Sequence, residues 1–101
     1  MLSASIKDFK VRNNSIIYFI SVKLGSAKNY TVEHNLKDFE LLHVLITETL
    51  MEIPSCNIPA FPTFTVKSGN QMVEERMKKL TRYLKELCVP AFICEDLLDF
   101  L

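Results

Sequence analysis

The hexapeptide "HNLKDF", residues 34 to 39, closes a stretch that alternates like a β-strand and opens one that repeats like a helix. Such a junction can do chemistry without a reactive side chain. The first turn of a helix offers free backbone N–H groups and the positive end of its dipole to an anion. Side chains able to reinforce that attraction are concentrated downstream, where Lys67, Arg76, Lys78, Lys79, Arg82 and Lys85 outnumber Glu74 and Glu75. The plainer reading of this run is the solvated face of a helix; the functional reading is a surface that meets phosphate.

Other chemistries fail on residue type and spacing. Cys56, Cys88 and Cys94 are odd in number and, taken with His34 and His43, give no pair at zinc-finger spacing. They read as buried structural thiols, and no metal is expected. His34 and His43 have no obvious carboxylate partner, and His43 reads as a surface or helix-packing residue rather than a base. Two glycines, Gly25 and Gly69, leave no phosphate-cradling loop or dinucleotide fingerprint, and no Ser or Cys sits in a nucleophile elbow. The expectation is a protein that is not an enzyme and needs no cofactor.

The totals narrow the class further. A chain of 101 residues, 49% hydrophobic and 24% charged, has the length of one ordered domain spanning 1–101. A formal net charge of zero argues against nucleic acid as the partner. Unpaired cysteines without a secretory signal suggest a reducing compartment such as the cytosol. The longest nearly apolar run, "IIYFISV", is far shorter than the ~20 residues of a membrane-spanning helix, so any membrane role is peripheral.

The elements that position the junction can be read from periodicity. "IKDFKV" alternates loosely, with Phe9 and Val11 on one face, and "RNNS" supplies a hairpin turn. "IIYFISVKL" then sets Ile16, Tyr18, Ile20, Val22 and Leu24 on one face at strict period two, which predicts a central strand buried on one side along its whole length. "GSAKN" turns the chain into "YTVEHN", completing a three-stranded antiparallel meander. Phe39, Leu42, Leu45 or Ile46, and Leu50 recur at helical spacing and predict a helix from about residue 37 to about 51. Pro54, Pro59 and Pro62 then enforce an extended, partly polyproline-like loop. "SGN" and the repeat Val73, Met77, Leu80, Leu84, Leu87 predict a second long helix, and "AFICEDLLDFL" one or two short ones after Pro90. The fold class is α+β: a β-meander, then three to four helices, with a proline-rich loop between the first two long ones.

Three stretches in this order resemble the phox-homology, or PX, domain of sorting nexins and related trafficking and signalling proteins. "EHNLKDFELLH" resembles the family's Arg-Arg-Tyr-Ser-Asp-Phe junction. "IPAFPTF" is similar to the first five positions of its aliphatic-Pro-x-x-Pro-x-Lys loop. "EERMKKLTRYLKEL" with "VPAFICEDLLDFL" resembles its second long helix and its hydrophobic-x-x-Phe-Leu ending. The resemblance runs from about Ile6 to Leu101. It implies docking on the cytosolic face of endosomal or other membranes through a phosphoinositide, chiefly the 3-phosphate.

In that pattern the second Arg of the junction grips the 3-phosphate, the next Tyr stacks under the inositol ring, the loop Lys meets a neighbouring phosphate and a helix Arg bonds ring hydroxyls. Here those positions fall on Asn35, Leu36, Phe64 and Arg76, so only Arg76 keeps its chemistry. Hydrogen bonds to charged groups contribute roughly 1.5–3 kcal/mol each, so two missing cations remove on the order of 3–6 kcal/mol. At about 1.4 kcal/mol per decade, a micromolar site becomes millimolar. His34 and Lys67 are the nearby candidates to substitute positive charge, although in a strand His34 points to the face opposite Asn35. Lys37, at the family's Ser, reads as solvent-facing.

Phe61, Phe64 and Val66 in the proline loop could insert at a membrane interface, hold a protein partner, or cover the domain's own core. The first expectation is therefore a peripheral membrane module with weak or atypical phosphoinositide binding. The second is the same fold used as a protein-interaction scaffold without specific lipid binding.

Overall fold

The computed structural model describes residues 2–26, 28–51, 53, 57–90 and 92–101. Cys56 and Pro54 lie outside the described residues. Three strands, β1 (Leu2–Arg12), β2 (Ser15–Leu24) and β3 (Lys28–His34), form an antiparallel sheet in the order β1-β2-β3. Asn13 and Asn14 both take positive φ, 51° and 64°, the handedness that lets a two-residue turn follow the twist of a hairpin.

β1 begins at Leu2, earlier than its weak alternation suggests. Leu2, Ala4 and Ile6 are its buried residues, all even-numbered, whereas its inward row continues through odd-numbered Phe9, opposite the buried Tyr18. A β-bulge at Lys7, between the pairs Ile6–Ile20 and Asp8–Phe19, makes the switch. One extra residue moves every later side chain to the other face, so the bulge keeps Asp8 and Lys10 out of the core. In β2 the inward row is as expected for Tyr18, Ile20 and Val22, all fully buried, but Leu24 is 47% exposed, so burial fails at the strand's end.

Among the described residues three helices complete the α+β fold: α1 (Leu36–Leu50), α2 (Gly69–Leu87) and α3 (Glu95–Phe100). α1 buries Phe39, Leu42, Ile46 and Leu50, which resolves the alternative at residues 45 and 46 in favour of Ile46. α2 buries Val73, Leu80, Tyr83, Leu84 and Leu87, while Met77 is only half-buried. α2 also lies along the edge strand β1, where Thr81 Oγ1 accepts the Ile6 N–H at 3.1 Å. That bond satisfies an edge donor beside the bulge. Cys88 and Cys94 are half-buried against the core rather than fully enclosed, and burial pushes the Cys88 thiol pKa up.

His43 on α1 joins the two long helices. Its Nδ1 lies 2.7 Å from Tyr83 Oη, and Phe61 packs on both rings. Burial lowers the His43 pKa from 6.5. The unfolded chain, with the ordinary value, therefore takes up a proton first. The stability that neutral His43 supports is complete above about pH 6.5 and is lost as pH falls through the folded value. Melting curves between about pH 7.5 and 5 should fall less steeply with acidity in His43→Phe than in the wild type. Parallel slopes would remove His43 from the acid response.

Candidate functional site

The strand-to-helix junction is built by a reciprocal cap. Asn35 is extended, with φ −95° and ψ 177°, and its Oδ1 accepts the Asp38 N–H at 2.9 Å while Asp38 Oδ2 accepts the Asn35 N–H at 3.1 Å. Two donors that a helix end leaves free are thereby satisfied inside the chain. Asn35 has given its acceptor to folding, and only its amide N–H groups remain for a ligand.

His34 belongs to a different piece of machinery. Its ring stacks on Phe100 at 3.9 Å with a 10° interplanar angle, Nε2 donates to the Phe100 carbonyl at 2.6 Å, and Nδ1 lies 3.0 Å from Asp38 Oδ2. Asp38 is thus the carboxylate partner that the sequence did not make obvious. Both ring nitrogens are engaged in tying α3 to the junction. The strand alternation that sends His34 to the face opposite Asn35 keeps it away from the pocket described next.

An open pocket of about 560 Å³ lies on the Asn35 side of the junction. Asn35, Leu36 and Lys37 form one wall, the hairpin residues Asn14 and Ser15 with Ile16 and Tyr18 another, and Met72 and Arg76 of α2 the third. Lys37 is exposed, as expected, yet stands on the pocket's rim with Glu40 beside it. Lys67 is exposed and does not line the pocket. Of the candidate cations, the structure brings only Arg76 to Asn35 and Leu36.

Arg76 is held by aromatic neighbours. Its guanidinium carbon lies 5.7 Å from the centre of the Phe64 ring, within cation–π range. Arg76 Nε and Tyr18 Oη are both buried and neither has a well-formed hydrogen bond. Burial raises the Tyr18 pKa, and the adjacent Arg76 guanidinium pulls it partly back. Among the described residues Arg76 makes no ion pair. Glu75 instead latches the proline loop, accepting from Thr65 N–H and Oγ1, both at 2.7 Å, and from Val66 N–H at 3.3 Å. Those Thr65 bonds, with further help from Val66 and Lys79, lower the Glu75 pKa.

The loop's aromatic residues turn onto the domain. Phe61 sits 5.4 Å from Tyr83 and 5.5 Å from His43, and Phe64 meets Phe61 edge-on at 6.4 Å. Both pack against the core, and Val66 is half-buried, so of the three uses open to this loop the geometry favours covering the core. Phe64, where the resemblance expects Lys, braces Arg76 from below.

A PX-domain family model matches residues 22–101 of the chain. The chain belongs to the PX domain family. Members of this family are generally phosphoinositide-binding, membrane-targeting modules rather than enzymes. The fold agrees: the X-ray structure of a designed CISK-PX domain superposes with a TM-score of 0.81, covering 98% of this chain and 97% of that one at 24% identity. No curated protein matches the chain. None of the described helices of this PX domain is long and apolar enough to cross a membrane.

Sequence reasoning did not place the hairpin residues, Tyr18, Glu40 or Met72 at the Arg76 pocket. Tyr18 entered only as one of an apolar row, although its hydroxyl is the single polar atom in that row and was the available signal. Glu40 gave no signal, because its place on the rim depends on how α1 leaves the cap.

Proposed function

We propose that this PX domain is a peripheral membrane module with weak or atypical phosphoinositide recognition. The observation that carries the proposal is Arg76, whose guanidinium lines the pocket together with Asn35 and Leu36, the positions at which the family pattern has its phosphate-gripping and ring-stacking side chains. Arg76 makes no ion pair among the described residues, so its charge is free for an anionic headgroup in the pocket. Lys37 adds a second positive charge at the rim, which Glu40 offsets. The sites of action we propose are endosomal or other cytosol-facing membranes in trafficking or signalling, with residues 1–101 acting as one module.

The test is a liposome panel carrying each phosphorylated inositol lipid, at low and moderate salt. The wild type should bind weakly and lose binding as salt rises, because the attraction is screened within a Debye length of about 10 Å at 0.1 M. Arg76→Ala should weaken what binding there is by roughly 10- to 150-fold, the equivalent of about 1.5–3 kcal/mol. Binding that Arg76→Ala leaves intact would move the lipid site elsewhere. Tight, selective wild-type binding would overturn the weak-site reading.

A further inference from the structure

A second groove, of about 210 Å³, runs between α1 and α3 on the His34 side of the junction. Buried Leu42 and Phe100 form its floor. Leu41, 58% exposed, and Leu45, 37% exposed, line the α1 wall, and Val44 beside them is 49% exposed. Asp96 and Asp99 stand on the α3 wall and Asp38 at the end, and no Lys or Arg lines the groove. Asp99 has no hydrogen bond or ion pair among the described residues, while Asp96 accepts only from Thr49 Oγ1, at 2.8 Å. In a chain of net charge zero this is a local concentration of acid beside unpartnered leucines.

We propose that this groove docks a basic amphipathic helix of a protein partner. The apolar wall calls for apolar side chains, and the two carboxylates of the α3 wall, Asp96 and Asp99, call for Lys or Arg flanking them. Both walls are helices, whose backbone groups are paired internally and offer no strand edge. An extended peptide laid there would bury its own N–H and C=O groups without partners, whereas a helix brings its bonds with it. Leu41 and Leu45, and Asp96 and Asp99, each repeat at one helical turn, about 6 Å and about 4.5 Å along the axis, the spacing at which a partner helix presents side chains. An anionic membrane is excluded as occupant by like charge. The proposal is independent of the lipid reading, because the groove shares no residue with the Arg76 pocket.

The probe is a fluorescein-labelled peptide about 18 residues long, with leucines at i, i+3, i+4 and i+7 and lysines elsewhere. A counterpart carries glutamates in place of the lysines. Fluorescence anisotropy with the wild-type domain should show saturable binding of the lysine peptide and at least about tenfold weaker binding of the glutamate one. The double variants Asp96→Asn with Asp99→Asn and Leu41→Ser with Leu45→Ser should each lose about tenfold or more, with melting temperatures little changed because Asp99, Leu41 and Leu45 are exposed and Asn at 96 keeps an oxygen for the Thr49 hydroxyl. Arg76→Ala should bind the peptide as the wild type does.

Equal binding of the two peptides, no saturable binding below about 1 mM, or indifference to either double variant would overturn the proposal. So would sedimentation showing that the domain alone pairs with itself through this face and that Asp99→Asn abolishes the pairing, since the occupant would then be a second copy.

Discussion

Replacing Asn35 by Arg and Leu36 by Tyr in one chain should create binding to liposomes carrying phosphatidylinositol 3-phosphate while lowering the melting temperature. The gain follows from the pocket, which already has its walls, its opening and the Arg76 guanidinium. A bidentate guanidinium on the phosphate contributes roughly 1.5–3 kcal/mol, an affinity increase of about 10- to 150-fold, and a phenol ring adds an aromatic face for the sugar-like headgroup. The loss follows from the cap: Asn35→Arg removes the oxygen that accepts the Asp38 N–H. An N-cap of this kind is worth about 1 kcal/mol, or roughly 4–8 °C for a domain of this size. Flotation assays against 3-phosphate, 4-phosphate and uncharged liposomes, with a thermal melt of the same preparation, read both effects. A folded double variant that gains no 3-phosphate binding would show that the missing chemistry does not reside at these two positions.

The coupling of those two effects explains the residue at position 35. Asn is among the best N-caps, whereas the Arg of the family pattern cannot accept a hydrogen bond at all. In the proposed lipid reading, helix capping and phosphate gripping would compete for this one side chain, and Asn35 serves the cap. The consequence is a well-made helix start whose capping residue brings no charge to the pocket.

What could be read from the sequence tracks how local its cause is. β2 was legible because Tyr18, Ile20 and Val22 alternate without interruption over the helices. β1 was legible only from about Ile6, because the bulge at Lys7 changes the phase of its buried row, and no period-two template follows a phase change. α1, expected from about residue 37 to about 51, runs from Leu36 to Leu50, because its apolar stripe is uninterrupted. Tyr83 was missed as a core residue because Leu84 beside it fits the repeat better. Its hydroxyl finds His43 forty residues away, a contact that local spacing cannot encode.

The site was legible in register but not in direction. Asn35 and Leu36 of the junction and Arg76 of the second helix, matched to the family pattern, line one pocket in the structure. Glu74 and Glu75 stand next to Arg76 in sequence, yet neighbouring residues on a helix do not face each other. Glu75 turns instead to Thr65, which leaves the guanidinium uncommitted. Phe64 stands where a lysine was expected, and its inward packing depends on Phe61 and Tyr83 behind it. The loop's Phe61 and Phe64 pack against the core and leave little apolar surface for a protein partner there. The exposed leucines are on α1, where a helical stripe wider than the core needs leaves Leu41 and Leu45 outside.

Phe39→Ala should be the most damaging single substitution at the junction, with a fall in melting temperature of at least about 12 °C. Phe39 is fully buried and is the Phe of the junction motif. Its ring meets Tyr18 edge-on at 6.3 Å and Phe100 at 4.9 Å, so β2, α1 and α3 converge on it. Truncating a buried Phe costs about 3–5 kcal/mol, a large share of the 5–15 kcal/mol that typically holds a domain together. The damage should propagate both ways from the ring. Tyr18 lines the Arg76 pocket, and Phe100 carries the stacking surface and carbonyl that hold His34. Phe39→Leu, which keeps most of the volume, should recover more than half of the loss. Thermal melts followed by circular dichroism separate the cases: a fall below about 5 °C for Phe39→Ala would mean that the junction's shape is held by the Asn35–Asp38 cap rather than by this aromatic cluster.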